Sequence, residues 1–311
     1  MVPWITLVDL GDERLQFRAQ EFAYTLQNQL FIDLLEIIKP LLDGNHAVDE
    51  ITAAGGPRFL PTTVSFFLKM LRSHGLLQEA DCSSHPSLTP QDLEQNEGSL
   101  RFLSHFKADS QGLLTSLSEA RLGLLGAGRL TNSIRNSLET LGIHRIKDLG
   151  EWLGKGERSA AKTQAMKAAL KEIDFLVAGQ ESVGFSFFET INEICLATRT
   201  RWIRVANEGT TAYLGPTVVP FETACYVCYE GRLNSNRPDL QDFLAYKSQI
   251  ESNHQSQDEG FFAPLWSSVA SQTVIEVARI LSGFAPPTTI GRFYEMSVAS
   301  PMPVAHDVLR L

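Results

Sequence analysis

"LGLLGAGRLTNSIRNSLETLG", Leu122 to Gly142, sets three signals in a row. Leu122–Leu125 is short, apolar and closed by glycine, the pattern of a strand buried on both faces. Gly126-Ala127-Gly128 is a turn, and Arg129–Gly142 reads as a helix. Small residues let backbone amides approach a phosphate, and a helix N-terminus favours its charge. Gly123, Gly126 and Gly128 are therefore candidate nucleotide-site residues, although the motif is weak when it stands alone. Asp148 lies at about the spacing of a ribose-binding acid, which leaves a dinucleotide open. A tight strand–helix turn without ligand also explains the stretch.

The same alternation continues downstream. "IDFLVA" (173–178) is strand-like, "FETINEICLATR" helical, and "RWIRVAN" and "AYLGPTVVP" strands, before a long amphipathic helix, "PLWSSVASQTVIEVARILSG". Alternating strands and helices predict a mostly parallel sheet covered on both faces over residues 118–311. Upstream, "WITLVDL" and "RLQFRAQ" flank Gly11-Asp12 as a hairpin, and "FAYTLQN" (22–28) is a third strand. Three helices follow. The first carries Phe31, Leu34, Leu35 and Ile38; the second is "AVDEITAAGG"; the third, "TTVSFFLKMLRSHG", has a Val64/Phe67/Leu68/Leu71 stripe, Thr62 or Thr63 as N-cap and Gly75 at its end. "LLQEA" follows as the start of a wing. Residues 1–80 thus read as a winged helix-turn-helix of three strands and three helices, and the polar residues 81–117 as a linker with at most one short helix.

The chain of 311 residues carries a net charge of −9, with 43% hydrophobic and 20% charged residues. An acidic globular composition argues against nucleic acid as the partner. There is no signal-peptide pattern and no apolar run of about 18 residues, so neither export nor a membrane span is expected. Four cysteines without a framework fit a reducing cytoplasm. The third helix offers Lys69 and Arg72 but also Phe66 and Met70, too greasy for reading base edges. The aromatic third strand leaves a candidate edge for an added peptide strand. Core packing of those aromatics is the competing reading.

Residues 20–79, through "LLDGNHAVDEI" and "VSFFLKMLRSHGLLQE", resemble the peptide-docking module of ribosomal peptide modification systems, the PqqD-like RiPP recognition element. The resemblance implies a leader peptide adding as a strand to the third strand and packing on the third helix. Its contacts would be Phe22, Tyr24, Leu26, Phe66, Lys69 and Met70. Residues 118–311 resemble the ThiF-like, Rossmann-type fold of ubiquitin-activating enzymes, through "GLLGAG", "INEIC", "ACYVCYE" and the closing helix. Active members adenylate a carboxyl terminus with ATP. Here Arg129 follows the last glycine, no Asn-Arg-Gln stretch follows "IKDLGEW", and "QES" stands where a "TDN"-like motif belongs, with Glu181 in place of the catalytic Asp. The nucleotide site is expected to be a degenerate remnant of Gly123, Gly126, Gly128 and Glu181, with no catalytic residue and no ATP bound without a partner.

"LGPTVVPFETACYVCYEGRLNSNR" resembles the ThiF-like partner protein of YcaO cyclodehydratases, and the likeness extends through the closing helix to "HDVLRL". The resemblance implies a scaffold that binds a leader peptide and presents the precursor to the YcaO enzyme, which closes Cys, Ser or Thr onto the backbone as azolines. It also implies a structural zinc on two Cys-x-x-Cys pairs. Cys225 and Cys228 match the first pair; the second would follow "VLRL", so it either lies beyond Leu311, with the domain lacking its C-terminal end here, or is absent. Two free thiols without metal are the competing reading, and a homodimer stays open. The alternatives are an ATP-dependent adenylating enzyme acting on a peptide carboxyl terminus and, behind it, a NAD-dependent enzyme.

Overall fold

The computed structural model describes residues 2, 4–20, 22–78, 88–107, 109–150, 160–181, 185–253, 260, 262–300 and 302–310. The chain divides into two compact units, Met1–Thr115 and Ser116–Leu311.

The first unit opens with an antiparallel sheet in the order β1 (Thr6–Gly11), β2 (Arg14–Arg18), β3 (Ala23–Gln27). Its first turn lies one residue later than the sequence suggests. Asp12 and Glu13 take the left-handed turn positions, with φ of 52° and 58°. Gly11, at φ 71°, instead closes an irregularity in the β1–β2 register, where Asp9 Oδ1 accepts from its amide at 2.8 Å.

The helices then follow in the expected order. In α1 (Gln29–Ile38), the Asn28 side chain caps by accepting from Phe31 N, and Leu34, Leu35 and Ile38 are buried. A single 3-10 turn (Lys39–Leu41) leads to α2 (Val48–Ala53). α3 (Pro61–Ser73) starts two or three residues earlier than expected, because Pro61 takes the first helical position and Leu60, not Thr62 or Thr63, stands at the cap. Its Val64, Phe67 and Leu71 are buried as the spacing predicts. Gly75, at φ 71°, reverses the chain so that Leu76 N bonds Leu71 O at 2.9 Å and the Leu76 side chain is buried. The expected wing does not begin at Leu77 and Gln78, which form no strand; the rest of it lies outside the described residues.

The predicted linker is more ordered than its composition implies. It holds α4 (Pro90–Gln95), α5 (Glu97–Leu103) and α6 (Ser110–Glu119). These helices are short and have no long apolar stripe to detect. α4 rests on its ends: Thr89 Oγ1 accepts from Asp92 N, and Asp92 accepts from Thr89 N at 2.8 Å. Residues 81–87 lie outside the described residues.

The second unit is built on a seven-stranded sheet, ordered β10-β9-β8-β7-β6-β4-β5. The strands are β4 (Leu122–Leu125), β5 (Ile146–Asp148), β6 (Phe175–Gln180), β7 (Trp202–Glu208), β8 (Thr211–Val218), β9 (Arg292–Ser297) and β10 (Val304–Asp307). Crossovers through α7 (Arg129–Thr140), α8 (Ala160–Leu170) and α9 (Phe185–Thr198) keep β5, β4, β6 and β7 parallel. The remaining pairs are antiparallel, so the sheet is mixed rather than mostly parallel. The cause is local. Gly209, at φ 61°, turns β7 straight back into β8 as a hairpin, with no residues to spare for a crossover.

Both faces are covered. Leu122, Leu124, Phe175, Val177, Ile203 and Val205 pack under α7 and the long α12 (Ala263–Ser282). Their alternates Leu125, Leu176, Ala178 and Trp202 pack under α8, α9 and α10 (Tyr226–Ser235). α11 (Leu240–Asn253), which no sequence signal marked, lies between α10 and α12 in the chain. Gly123 belongs to this packing. A Cβ there would fall 2.5 Å from Ile173 Cδ1, so the residue lets β4 fit its neighbours and is not part of the turn.

Candidate functional sites

Among the described residues of the first unit β3 is an edge strand. Ala19 N donates to Phe22 O at 2.9 Å, and the register pairs Phe17 with Tyr24 and Leu15 with Leu26. Antiparallel bonding alternates, so Phe22, Tyr24 and Leu26 spend their backbone groups on β2. Ala23, Thr25 and Gln27 present theirs to the open side. The side chains of Phe22, Tyr24 and Leu26 share the inward face. Leu26 is core, 4% exposed. Phe22 sits edge-on to Trp4, and the Tyr24 hydroxyl donates to Met70 Sδ at 3.8 Å on α3. His74, at the end of α3, lies against the Tyr24 ring, centroids 4.3 Å apart. On α3, Phe66 is 60% exposed and stacks on Phe31, Lys69 is exposed, and Met70 is half-buried. Tyr24, Met70 and His74 therefore meet where β3 faces α3, with Phe66 and Lys69 on the same helix.

In the second unit the glycine turn connects β4 to α7. Gly126 and Gly128 have φ of 142° and 108°, backbone that a side chain rarely tolerates. A Cβ on Gly126 would lie 2.4 Å from Gly179 O on β6, and one on Gly128 would lie 2.3 Å from Glu181 Oε2. Glu181 follows β6 directly, and its Oε1 accepts from Leu130 N in the first turn of α7 at 2.5 Å. Of the four remnant residues, Gly126, Gly128 and Glu181 lie together, and Gly123 lies apart from them in β4. Asp148, at the end of β5, accepts from Arg135 Nη2 at 2.6 Å and from Gly150 N at 2.8 Å, so it is engaged within the fold.

Cys225 caps α10, and Cys228 lies in its first turn with Sγ atoms 3.8 Å apart. That separation matches two corners of a tetrahedron with Zn–S bonds of about 2.3 Å. Among the described residues no group of three or more metal-ligating side chains exists, so the two thiols stand as a pair. Cys195 is buried in α9 and burial pushes its thiol up, away from a ligand's thiolate form. Cys82 lies outside the described residues.

Two supports of α10 had no sequence signal. Asn192 of α9, 1% exposed, accepts from Tyr226 N at 3.0 Å. Arg204 of β7, 3% exposed, lies 4.9 Å from the Phe188 ring centre and 5.1 Å from that of Tyr229, and it donates to Glu208 at 2.9 Å. Across the sheet, buried Glu276 of α12 accepts from Thr288 N at 2.5 Å, Thr289 N at 2.7 Å and Arg279 Nη1 at 3.2 Å. The loop after α12 that it holds lines a cavity of about 450 Å³ through Phe284 and Ile290, with Arg201 and Arg279.

Residues 154–306, within the second unit, match the ThiF family. No curated protein sequence matches the chain. Its fold is similar to that of a heterocyclase solved with substrate and cofactor (TM-score 0.66, 16% identity) and to the heterocyclase TruD (TM-score 0.70, 18% identity), over 100% of this chain in both cases. The chain spans only 38% and 41% of those two chains. It is also similar to Escherichia coli MccB solved with ATP (TM-score 0.62, 13% identity), covering 100% of this chain and 97% of that one. Among the described residues no helix is long and apolar enough to cross a membrane.

Proposed function

We propose that the chain is the leader-binding scaffold of a heterocycle-forming system acting on ribosomal peptides. In this reading the first unit is a peptide-docking module of the PqqD-like kind. A leader segment adds to the open side of β3 and bonds the backbone of Ala23, Thr25 and Gln27. Its apolar side chains rest on Phe22, Tyr24, Phe66 and Met70, while Leu26 holds the strand down from inside. Lys69 attracts an acidic leader and acts mainly on encounter rate. The bound precursor is then presented to a YcaO-type enzyme, which activates the backbone amide with ATP and closes Cys, Ser or Thr side chains to azolines.

The observation that carries this reading is the unpaired edge of β3 beside an α3 that exposes Phe66, in a chain whose whole fold is similar to part of a heterocyclase. The ring chemistry belongs to the partner, and this chain supplies binding and position. Cys225 and Cys228 serve as half of a structural zinc site that further thiolates complete. Fluorescence polarisation of a labelled leader segment from the precursor encoded beside this chain tests the idea. Saturable binding that survives removal of the precursor's core region is expected, and no binding to the leader overturns it.

The second reading is ATP-dependent adenylation of a peptide carboxyl terminus. It is favoured by the similarity to MccB over nearly that protein's full length. Glu181 in the glycine turn and the Asp148–Arg135 pair argue against it. ATP–pyrophosphate exchange by this chain alone separates the two.

A further inference from the structure

We propose that the cavity lined by Arg201 and Arg279 binds a small carboxylic acid with an apolar or aromatic body. Its volume of about 450 Å³ suits a ligand of that size. It lies at the far end of the large sheet from the glycine turn. Phe175, the first residue of β6, lines it, whereas Glu181 follows the last, Gln180. The length of β6, roughly 17 Å, separates the two places. Phe175, Ile280, Phe284 and Ile290 make the walls apolar. Thr217 also lines the cavity, but its Oγ1 is paired with Thr289 Oγ1 at 2.6 Å. The loop after α12 offers little backbone to a ligand. Pro286 and Pro287 have no N–H, and Phe284 N already donates to Ser282 Oγ at 3.4 Å. Such walls suit a ring or a hydrocarbon rather than a peptide strand.

The charged groups are the second observation. Arg279 Nη1 donates to Glu276 Oε2 at 3.2 Å and to Thr288 Oγ1 at 3.4 Å. Among the described residues its Nε, which is buried, and its Nη2 have no hydrogen-bond partner. These two nitrogens form one edge of the guanidinium, the edge that a carboxylate grips with both oxygens. A buried donor left unpaired is costly, and an acid on that edge would satisfy it. Arg201 is exposed and held only by a long bond from Nη2 to Asp174 O at 3.4 Å. The acids nearby are already engaged. Asp174 accepts from Arg121 Nη2 at 2.7 Å, and Glu276 accepts from Arg279 and from the amides of Thr288 and Thr289. Two guanidiniums against the carboxylate of Glu276 leave a single positive charge to match. A carboxylate brings one negative charge, whereas a phosphate dianion would set a second against Glu276. The inference uses only the second unit and does not rest on the leader-binding reading.

The test is isothermal calorimetry of the 311-residue chain with naphthylacetate and with naphthylacetamide, which has the same body and no charge. The acid should bind about tenfold more tightly than the amide. Arg201→Gln, at an exposed position, should weaken the acid roughly fivefold and leave the amide unchanged. Ala285→Trp, which fills the cavity, should weaken both, with circular dichroism confirming the fold. No binding of the acid, equal affinity for acid and amide, or acid binding that a folded Ala285→Trp leaves unchanged overturns the proposal. Should Ala285→Trp not fold, an unchanged acid affinity in Arg201→Gln overturns it alone. Displacement of naphthylacetate by inorganic phosphate at equal concentration also overturns it.

Discussion

Three glycines of the second unit make a graded test of the packing described above. Gly142 has φ 93° with nothing within 4 Å of a built Cβ, Gly128 meets the mobile end of Glu181 at 2.3 Å, and Gly126 meets the fixed carbonyl of Gly179 at 2.4 Å. Alanine at Gly142 should pay only for left-handed backbone, about 1–2 kcal/mol. Gly128, at φ 108° and ψ −160°, occupies a region reserved for glycine. Its strain of about 1–3 kcal/mol adds to about 1 kcal/mol for the displaced Glu181 hydrogen bond, giving about 2–4 kcal/mol for Gly128→Ala. Gly126→Ala should exceed both, because backbone on two strands must part. Urea titrations followed by circular dichroism give the differences from the midpoint shift. In a Glu181→Ala background the cost of Gly128→Ala should fall by about 1 kcal/mol while that of Gly126→Ala stays the same. Equal costs at the three positions, or no coupling between Gly128 and Glu181, would refute the close approach of carboxylate and turn.

Thr25→Pro removes an amide that β3 presents outward and breaks no bond to β2, so the unit should fold and leader affinity should drop roughly five- to tenfold, about 1 kcal/mol. Unchanged polarisation curves would mean that this edge does not receive the peptide. Glu276→Gln can keep an oxygen for the Thr288 and Thr289 amides but sets an NH2 group against Arg279 Nη1, and should cost about 1–3 kcal/mol in thermal melts; a change below about 0.5 kcal/mol would show that the carboxylate does not hold the 283–290 loop. The His46 hydrogen bond, with help from Asn45 N–H, lowers Asp43 from 3.8 to about 2, and Asp43 in turn raises His46 above 6.5. Asp43 therefore contributes stability above about pH 4 that is lost as pH falls toward 2, and His46 contributes below 6.5 and loses it as pH rises through its raised value. In an NMR titration Asp43→Asn should bring His46 down toward its ordinary value, and an unmoved titration would remove the pair.

The sequence revealed the parts whose signal is periodic or chemical. The Val64/Phe67/Leu71 stripe, the Leu122–Leu125 strand and the Gly126–Gly128 turn stand where residue pattern placed them. What it hid was set by pairing. Which of Tyr24 and Thr25 offers its backbone outward depends on the β2–β3 register, and alternation along β3 alone favoured the inward set. The antiparallel half of the large sheet followed from a hairpin at Gly209 that the apolar strand patterns do not encode. Gly123 resembled a turn glycine because spacing cannot distinguish a turn from a strand packed tightly against Ile173. α4, after Thr89, rests on its cap rather than on an apolar stripe. Arg204 and Glu276 are single polar residues inside apolar runs, and their partners come from other elements.

The central claim is that this chain delivers a peptide to chemistry performed by another protein. Mass spectrometry of the precursor peptide, incubated with ATP and its YcaO enzyme with and without this chain, tests it most directly. The account predicts the loss of one water per ring only when both proteins and the leader are present, with strongly reduced conversion by Thr25→Pro. Equal cyclisation by the YcaO enzyme without this chain, or adenylation of the peptide by this chain and ATP alone, would contradict it.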